Sequence, residues 1–523
     1  MLVANDVVRD SRVQKVAWSA AEAGFEVLLL GYAGNGGSAP GEYRLGAARV
    51  VLTDLGFPFQ DQIDALRVRA AAPDAGTPAR LLARTRLAGY RGLRIAPRYE
   101  YKVRRRLMRT VALPGTARPG VKGSLRELLW KLYVRDDGDW RRTMPHLRLL
   151  EEAWAPYLER FRPDVIHAHD MHTPGIGVRL ADRLERARGG QRGARPKVVY
   201  DAHEYVNGVT LTPERKLAYT GLEQRFIRRA DAVVTVSGRL AEMLRDRYEL
   251  PVLPTVVTNA PLLHADQPDE PDQPDEADQP GDGPARPDLR RRIGLAEGVP
   301  LLVYSGAVAP MRGITTLVEA LPLLPDAHVA LVCGEKGGHV AELVALAADR
   351  GVADRFHLAP YVAPSQVATY LSSATVGVIP ILHTLNHEIA LITKYYEYMH
   401  ARLPILVSDV EAMAARTREL GNGEVFTAGD PRALADAARV LLADRATYQS
   451  RYTDELLEDN SWEAQARVLA DRYVALAGRT TPPRPGSRPF GQITSARRPP
   501  PKLAPPVAAS PGPAEASSAG DIL

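Results

Sequence analysis

Short apolar runs alternate with longer stretches in which apolar residues recur at helical spacing along most of the chain. In the first half the runs are FEVLLLGY (25–32), DVIHAHD (164–170), KVVYDAHE (197–204), DAVVTVSG (231–238) and PTVVTNAP (254–261). In the second they are PLLVYSGAV (300–308), HVALVCG (328–334), VGVIPIL (376–382) and LPILVSD (403–409). Val, Ile and Leu fill each run and Gly, Pro or Asp bounds it, the pattern of strands buried on both faces in parallel sheets covered by helices. The chain therefore predicts an α/β protein with two doubly wound domains.

Three segments break the pattern. Residues 264–288, HADQPDEPDQPDEADQPGDGPARPD, carry no large apolar side chain and a proline every few positions. They bury too little to offset chain entropy, so a disordered linker is expected over 261–290. The Pro-, Ala- and Ser-rich stretch 479–523 reads as a disordered tail in the same way. Residues 67–145 mix arginine-rich helical stretches with Gly and Pro breaks and read as an insertion in a first domain spanning 1–260. A second domain is expected over 291–460.

At 523 residues the chain exceeds what one core organises. No apolar run approaches the roughly 18 residues of a membrane-spanning helix, and the start lacks the order of a signal peptide, so a cytoplasmic protein is expected. Cys333 sits in an apolar run and reads as a buried, inert thiol. The formal charge of +5 conceals an asymmetry. Arg67 to Arg142 hold 20 Lys or Arg against 6 Asp or Glu, whereas Asp266 to Asp288 hold 9 acids and 1 arginine. The basic segment would be drawn to anionic lipid headgroups. No base-reading motif accompanies it, so nucleic acid is not an expected partner.

Candidate chemistry belongs where the carboxyl ends of parallel strands meet loops. YSGAVAPMRGITTLVEAL offers a strand end at Ser305 and Gly306, a loop with Arg312 and Gly313, and a helix start at Ile314, the parts of a diphosphate cradle or of a plain tight turn. Neither the Walker A nor the G-x-G-x-x-G pattern occurs in this loop. In HTLNHEIALITKYYEYMHARLPILVSD, Lys394 can face a phosphate and Glu397 can accept hydrogen bonds from hydroxyls, or the two can form an ordinary i,i+3 pair. DVIHAHDMHTPGIG holds His167, His169 and His172, but the strand ends near Asp170 and no further Cys or His-rich segment completes a coordination shell. No metal site is expected.

In order and spacing, DVIHAHD, YDAHE, ADAVVTVSG, VVTNAP, YSGAVAPMRGITTLVEAL, FHLAPYV, YLSSATVGVIPI, KYYEYM and LPILVSD resemble the GT4-type nucleotide-sugar glycosyltransferases of the GT-B fold. SWEAQARVLADRYVAL resembles the family's closing helices, which implies that 461–478 returns to the first domain. The resemblance implies two Rossmann-like domains facing across a cleft, with retaining, metal-independent transfer in which the donor phosphate takes the acceptor proton. It implies that Gly306, Arg312 and Gly313 hold the donor diphosphate, that Tyr361 and Val362 meet the nucleobase, and that Glu397 meets the ribose. Asn386 and Lys394 resemble one branch of the family at the sugar-binding loop. Two positions depart from the pattern: Ile389 stands where the first of two paired glutamates is usual, and Ala307 where a second basic residue is usual.

Within that framework His169, Arg312 and Lys394 are the catalytic candidates, His169 being placed at the sugar on the acceptor side. Asp170, His203 and Glu204 are candidates for the acceptor wall. No cofactor is expected beyond a nucleotide-diphosphate sugar as co-substrate. The expected partners are that donor, a glycan or lipid-linked acceptor, and an anionic membrane surface at 67–142. Alternatives are a nucleotide-sugar epimerase or hydrolase, and a non-catalytic nucleotide-sugar or glycan-binding scaffold.

Overall fold

The computed structural model describes residues 1–8, 10–33, 38–54, 85, 140–144, 146–189, 195–263, 287–334, 338–363 and 366–478. The tail, nearly all of the acidic linker and most of the basic insertion lie outside the described residues. Two sheets organise the rest.

The first lobe contains β1 (Leu28–Tyr32), β2 (Gly41–Leu45), β3 (Ala48–Thr53), β4 (Val165–His169), β5 (Lys197–Ala202), β6 (Ala232–Thr235) and β7 (Thr255–Val256). Leu2 bridges Leu30 on one side and Ala168 on the other, joining β2-β3-β1 to β4-β5-β6-β7. Only β2 runs antiparallel to its neighbour. Alternation along β1 sends Leu28 and Leu30 into one core with Trp154 and Ile166, and Leu29 into another with Val13, Val16 and Val50. Helix α1 (Ser11–Glu22) covers that second face, its first turn capped by Asp10, which accepts from the backbone of Val13. Helix α2 (Gly238–Tyr248) follows β6 and is capped by Ser237.

The second lobe is a six-stranded parallel sheet of β8 (Leu301–Ser305), β9 (His328–Val332), β10 (Phe356–Ala359), β11 (Val376–Ile379), β12 (Ile405–Ser408) and β13 (Gly423–Phe426), in the order β10-β9-β8-β11-β12-β13. Counted from β8 this is the 3-2-1-4-5-6 order of a doubly wound nucleotide-binding sheet, whose switch point lies between β8 and β11. Around that point stand α3 (Ile314–Ala320), α4 (Leu385–Ile389) and α5 (Thr393–His400).

Helix α6 (Trp462–Leu476) follows the second lobe in sequence but places Trp462, Leu469 and Tyr473 in the first-lobe core beside α1. All nine apolar runs contain strands. Four further strands, β2, β3, β10 and β13, lie outside those runs: β2 and β3 form a hairpin closed at Gly46, where φ is positive, and β10 and β13 mix polar with apolar residues, as His357 and Glu424 show.

Candidate active site between the two lobes

A cavity of about 690 Å³ opens between the lobes. From the first lobe it is lined by Asn5, Asp6, Asp10, Arg12, His203, Glu204, Tyr205 and Gly208 to Thr210; from the second by Met311, Arg312, Thr384, Asn386, His387 and the stretch from Ile389 to Lys394. A smaller cavity of about 340 Å³, under Phe25, Leu158 and Phe161, is lined by the first lobe and the closing helix alone. The interlobe cavity is thus the one bounded by the switch point of the second sheet.

The floor on the second-lobe side is set by two glycines. Gly306, just past β8, has φ of 125°, and a Cβ there would come within 2.7 Å of Lys394 Nζ. Gly313 has φ of 67°, and a Cβ there would collide with the Pro380 carbonyl oxygen. The chain between them turns tightly through Pro310–Arg312, which brings Arg312 into the cavity. Lys394, in the first turn of α5, lies 4.8 Å from the centre of the Tyr304 ring. Burial and the neighbouring Arg312 hold its ammonium down to about 8. Helix α3 is only seven residues long before it narrows, so the positive charge here rests on these two side chains.

The expected diphosphate residues Gly306, Arg312, Gly313 and Lys394 therefore gather at one place. Tyr361 is half exposed, and its ring lies over Gly334, where a Cβ would come within 2.6 Å. Tyr361, Val362 and Glu397 are not among the cavity's lining residues. Glu397, one turn beyond Lys394, is raised by burial and feels Lys394 and Lys15 as its nearby cations.

The segment carrying Asn386 crosses to the first lobe. Asn386 Oδ1 accepts from the Tyr205 backbone at 3.2 Å, Ser237 donates to the Ile389 carbonyl at 2.7 Å, and Asn259 donates to Thr393 at 2.9 Å. Ile389 packs with Tyr200, Tyr205 and Leu240 of the first lobe. Glu388 turns away, accepting from the Glu411 backbone at 2.8 Å and pairing with His383 at 2.6 Å. Ile389 thus occupies an apolar interlobe socket that a glutamate would enter only at a desolvation cost.

The first-lobe wall corrects one expectation. His169 is fully buried and is absent from the cavity lining; His203 is the first-lobe imidazole that reaches it, opposite His387 of the second lobe. His169 is still within β4, paired in register with Asp201, whereas His203 lies beyond the end of β5 at Ala202 and clears the sheet. Glu204, next to it, also lines the cavity. Asp170 sits behind, at φ of 65°, accepting from the Met171 backbone and facing His172 at 3.2 Å. Burial would raise its carboxyl, but His172 and His203 bring it down to about 2.

Behind this wall lies a buried hub that sequence reasoning missed. Asp201 receives Arg12 in a two-pronged contact, Nε to Oδ2 at 3.0 Å and Nη2 to Oδ1 at 2.8 Å, and Arg12 Nη1 donates to the Val257 carbonyl at 2.8 Å. His167 Nε2, His169 Nδ1 and His203 Nε2 each lie 3.4 Å from the same Oδ2. The available signal was a charged residue in the middle of an apolar strand, which demands a buried partner.

His167, His169 and Asp201 bring three ligand-type atoms within 4.8 Å. The His167 and His169 rings are stacked, with centroids 4.1 Å apart and planes 17° from parallel. In-plane lone pairs on nearly parallel stacked rings do not converge on one ion, and Arg12 already occupies the carboxylate. As arranged, the hub is a hydrogen-bonded Arg12–Asp201 pair with three imidazoles held beside it by charge.

Residues 116–260 match the family described as Glycosyltransferase Family 4, and residues 299–444 match Glycosyl transferases group 1; together the matches cover more than half of the chain. The chain belongs to the family 4 glycosyltransferases, with the GT-B architecture. It is 30% identical over 200 residues to a D-inositol 3-phosphate glycosyltransferase of Xylanimonas cellulosilytica, covering 37% of this chain and 47% of that one. A protein of the same name from Geodermatophilus obscurus is 25% identical over 334 residues, or 60% and 67% of the two chains. The match thus spans just under half the length of the first relative.

Among solved structures, sucrose-phosphate synthase from Thermosynechococcus elongatus shares the fold with TM-score 0.56 and 18% identity over 89% of this chain and 92% of that one. An alpha,alpha-trehalose-phosphate synthase (UDP-forming) from Burkholderia vietnamiensis gives TM-score 0.50 and 13% identity over 91% and 99%.

Proposed function

We propose that the protein transfers a hexose from a nucleotide-diphosphate sugar to an acceptor hydroxyl, with retention at the anomeric carbon and without a divalent ion. The observation that carries this reading is the pairing of Arg312 and Lys394 on one wall of the interlobe cavity with His203 and Glu204 on the other. A leaving diphosphate needs its charge neutralised where it develops, and the guanidinium and ammonium supply that charge. The bond between the anomeric carbon and the phosphate oxygen breaks, the acceptor oxygen bonds to the same face of that carbon, and its proton passes to the departing phosphate.

The names of the relatives support transfer to a hydroxyl, and the UDP-forming title of one structural neighbour makes uridine diphosphate the first leaving group to test. The basic segment from Arg67 to Arg142 supports a lipid-linked or cell-envelope acceptor presented at an anionic membrane, with the enzyme peripheral to its inner face. Among the described residues no helix is long and apolar enough to cross a membrane.

The test is donor turnover with and without a panel of polyol, glycan and lipid-linked acceptors. Turnover that requires an acceptor supports transfer. Turnover without one assigns hydrolysis or epimerisation, and donor binding without turnover assigns a scaffold.

A further inference from the structure

Of the three imidazoles facing Asp201, His203 is the one that lines the cavity, beside Arg12. Its side chain is 17% exposed, and its Nε2 is sealed from solvent 3.4 Å from Asp201 Oδ2, within charge-pairing reach but without hydrogen-bond geometry. His203 nevertheless lines the cavity, and Nδ1 is the ring nitrogen not turned to Asp201. His167 and His169 face the same oxygen but are closed off, at 1% and 0% exposure, and His167 Nδ1 is engaged by the Tyr473 hydroxyl at 2.5 Å.

We propose that Asp201, clamped by Arg12, is a positioning residue for the transfer reaction: it fixes His203 with its proton on Nε2, so that the bare Nδ1 accepts a hydrogen bond from a substrate hydroxyl in the cleft. This rests on the transferase reading of the cavity. A neutral imidazole has one N–H and one lone pair, and the partner of one nitrogen decides the role of the other. A carboxylate beside Nε2 repels a lone pair and attracts an N–H, so of the two neutral forms the Nε2–H one is favoured; the same carboxylate raises the ring's affinity for a second proton against the cost of burial, so the bare Nδ1 belongs to the ring above that raised value. Arg12 makes this constant, because its guanidinium holds both oxygens of Asp201 and keeps the carboxyl ionised despite burial.

Four contacts at one oxygen also explain the 3.4 Å separations. Arg12 Nε takes the short, aligned position, and the three imidazole nitrogens stand off at 3.4 Å without hydrogen-bond geometry. His203 is distinguished from its two companions by access, not by its distance to the carboxylate. Asp201 therefore acts at one remove, and the group that meets the substrate is His203.

The experiment is nitrogen–proton correlation spectroscopy on the full chain labelled with 15N-histidine, recorded at pH 8.5 and above to observe the neutral ring. His203→Gln identifies the His203 signals by their loss. The wild-type ring is expected to be protonated at Nε2 and bare at Nδ1, and Asp201→Asn to mix the two forms. A wild-type ring protonated at Nδ1, or a form unchanged by Asp201→Asn, overturns the proposal.

Because Asp201→Asn removes the partner of buried Arg12 and can compromise folding, the wild-type measurement stands alone as a decisive result. Where Asp201→Asn folds with an unchanged circular dichroism spectrum, kcat is expected to fall roughly tenfold or more while the donor KM stays within about twofold. A rise in donor KM at constant kcat contradicts a positioning role. If the wild type transfers no sugar from any donor, the transferase reading fails, while the spectrum still decides whether Asp201 sets the His203 tautomer.

Discussion

The Ser237 hydroxyl in the first lobe donates to the Ile389 carbonyl in the second at 2.7 Å, while the same oxygen caps α2 by accepting from the Leu240 backbone at 3.2 Å. One side chain thus starts a helix and fastens the segment that carries Asn386 and Lys394 across the cleft. Because the Ile389 side chain fills the adjoining apolar socket, the position that family resemblance marks for a glutamate is a structural anchor in this chain.

Ile389→Glu, which restores the family residue, is expected to destabilise the protein. Ile389 is 5% exposed among Tyr205, Leu240 and other apolar first-lobe groups, so a carboxylate there loses packing and gains a desolvation cost, about 3 kcal/mol or more together. Denaturant unfolding checks this; a variant as stable as the wild type would show that the socket admits water.

Donor-site affinity is expected to fall with rising pH. Lys394 is held down to about 8, so its ammonium is largely present at pH 7 and largely lost by pH 9, and the diphosphate loses one cationic partner across that window. Calorimetric titration of the bound nucleoside diphosphate between pH 6.5 and 9.5 reads the slope, and Lys394→Arg is expected to flatten it.

Gly313→Ala is expected to abolish donor binding more completely than its size suggests. The residue combines positive φ with a Cβ position already occupied by the Pro380 carbonyl oxygen, so the loop that carries Arg312 must move. Nucleotide titration checks the loss, and circular dichroism checks that the sheet survives.

The stability of the first lobe is expected to depend on Glu223. Burial pushes its carboxyl from an ordinary value of 4.5 up to about 7, even though the Tyr200 and Tyr248 hydroxyls donate to it. A folded-state value above the unfolded one means stability that is full below about 4.5 and is lost as pH rises through about 7. The melting temperature of the wild type should therefore fall more between pH 5 and pH 8 than that of Glu223→Gln.

Much of this was legible in the chain because buried parallel strands leave continuous apolar runs, and those runs located the loops that carry Arg312, Lys394 and His203. What was not legible depends on where each strand stops. His169 and His203 both follow apolar runs and look alike in sequence, yet β4 ends at His169 while β5 ends before His203, and that difference decides which imidazole reaches the cleft. The Arg12–Asp201 pair joins residues 189 positions apart, and periodicity carries no information about such a partner.

The most direct test of the central claim, that the interlobe cavity holds a nucleotide diphosphate on Arg312 and Lys394, is calorimetric titration with UDP, GDP and ADP of the wild type and of Arg312→Ala. One nucleotide is expected to bind the wild type with one-to-one stoichiometry and to bind Arg312→Ala roughly tenfold to a hundredfold more weakly, the worth of a charged hydrogen-bonding partner. Binding of that nucleotide with equal affinity to both proteins, or binding of none to the wild type, would contradict the account.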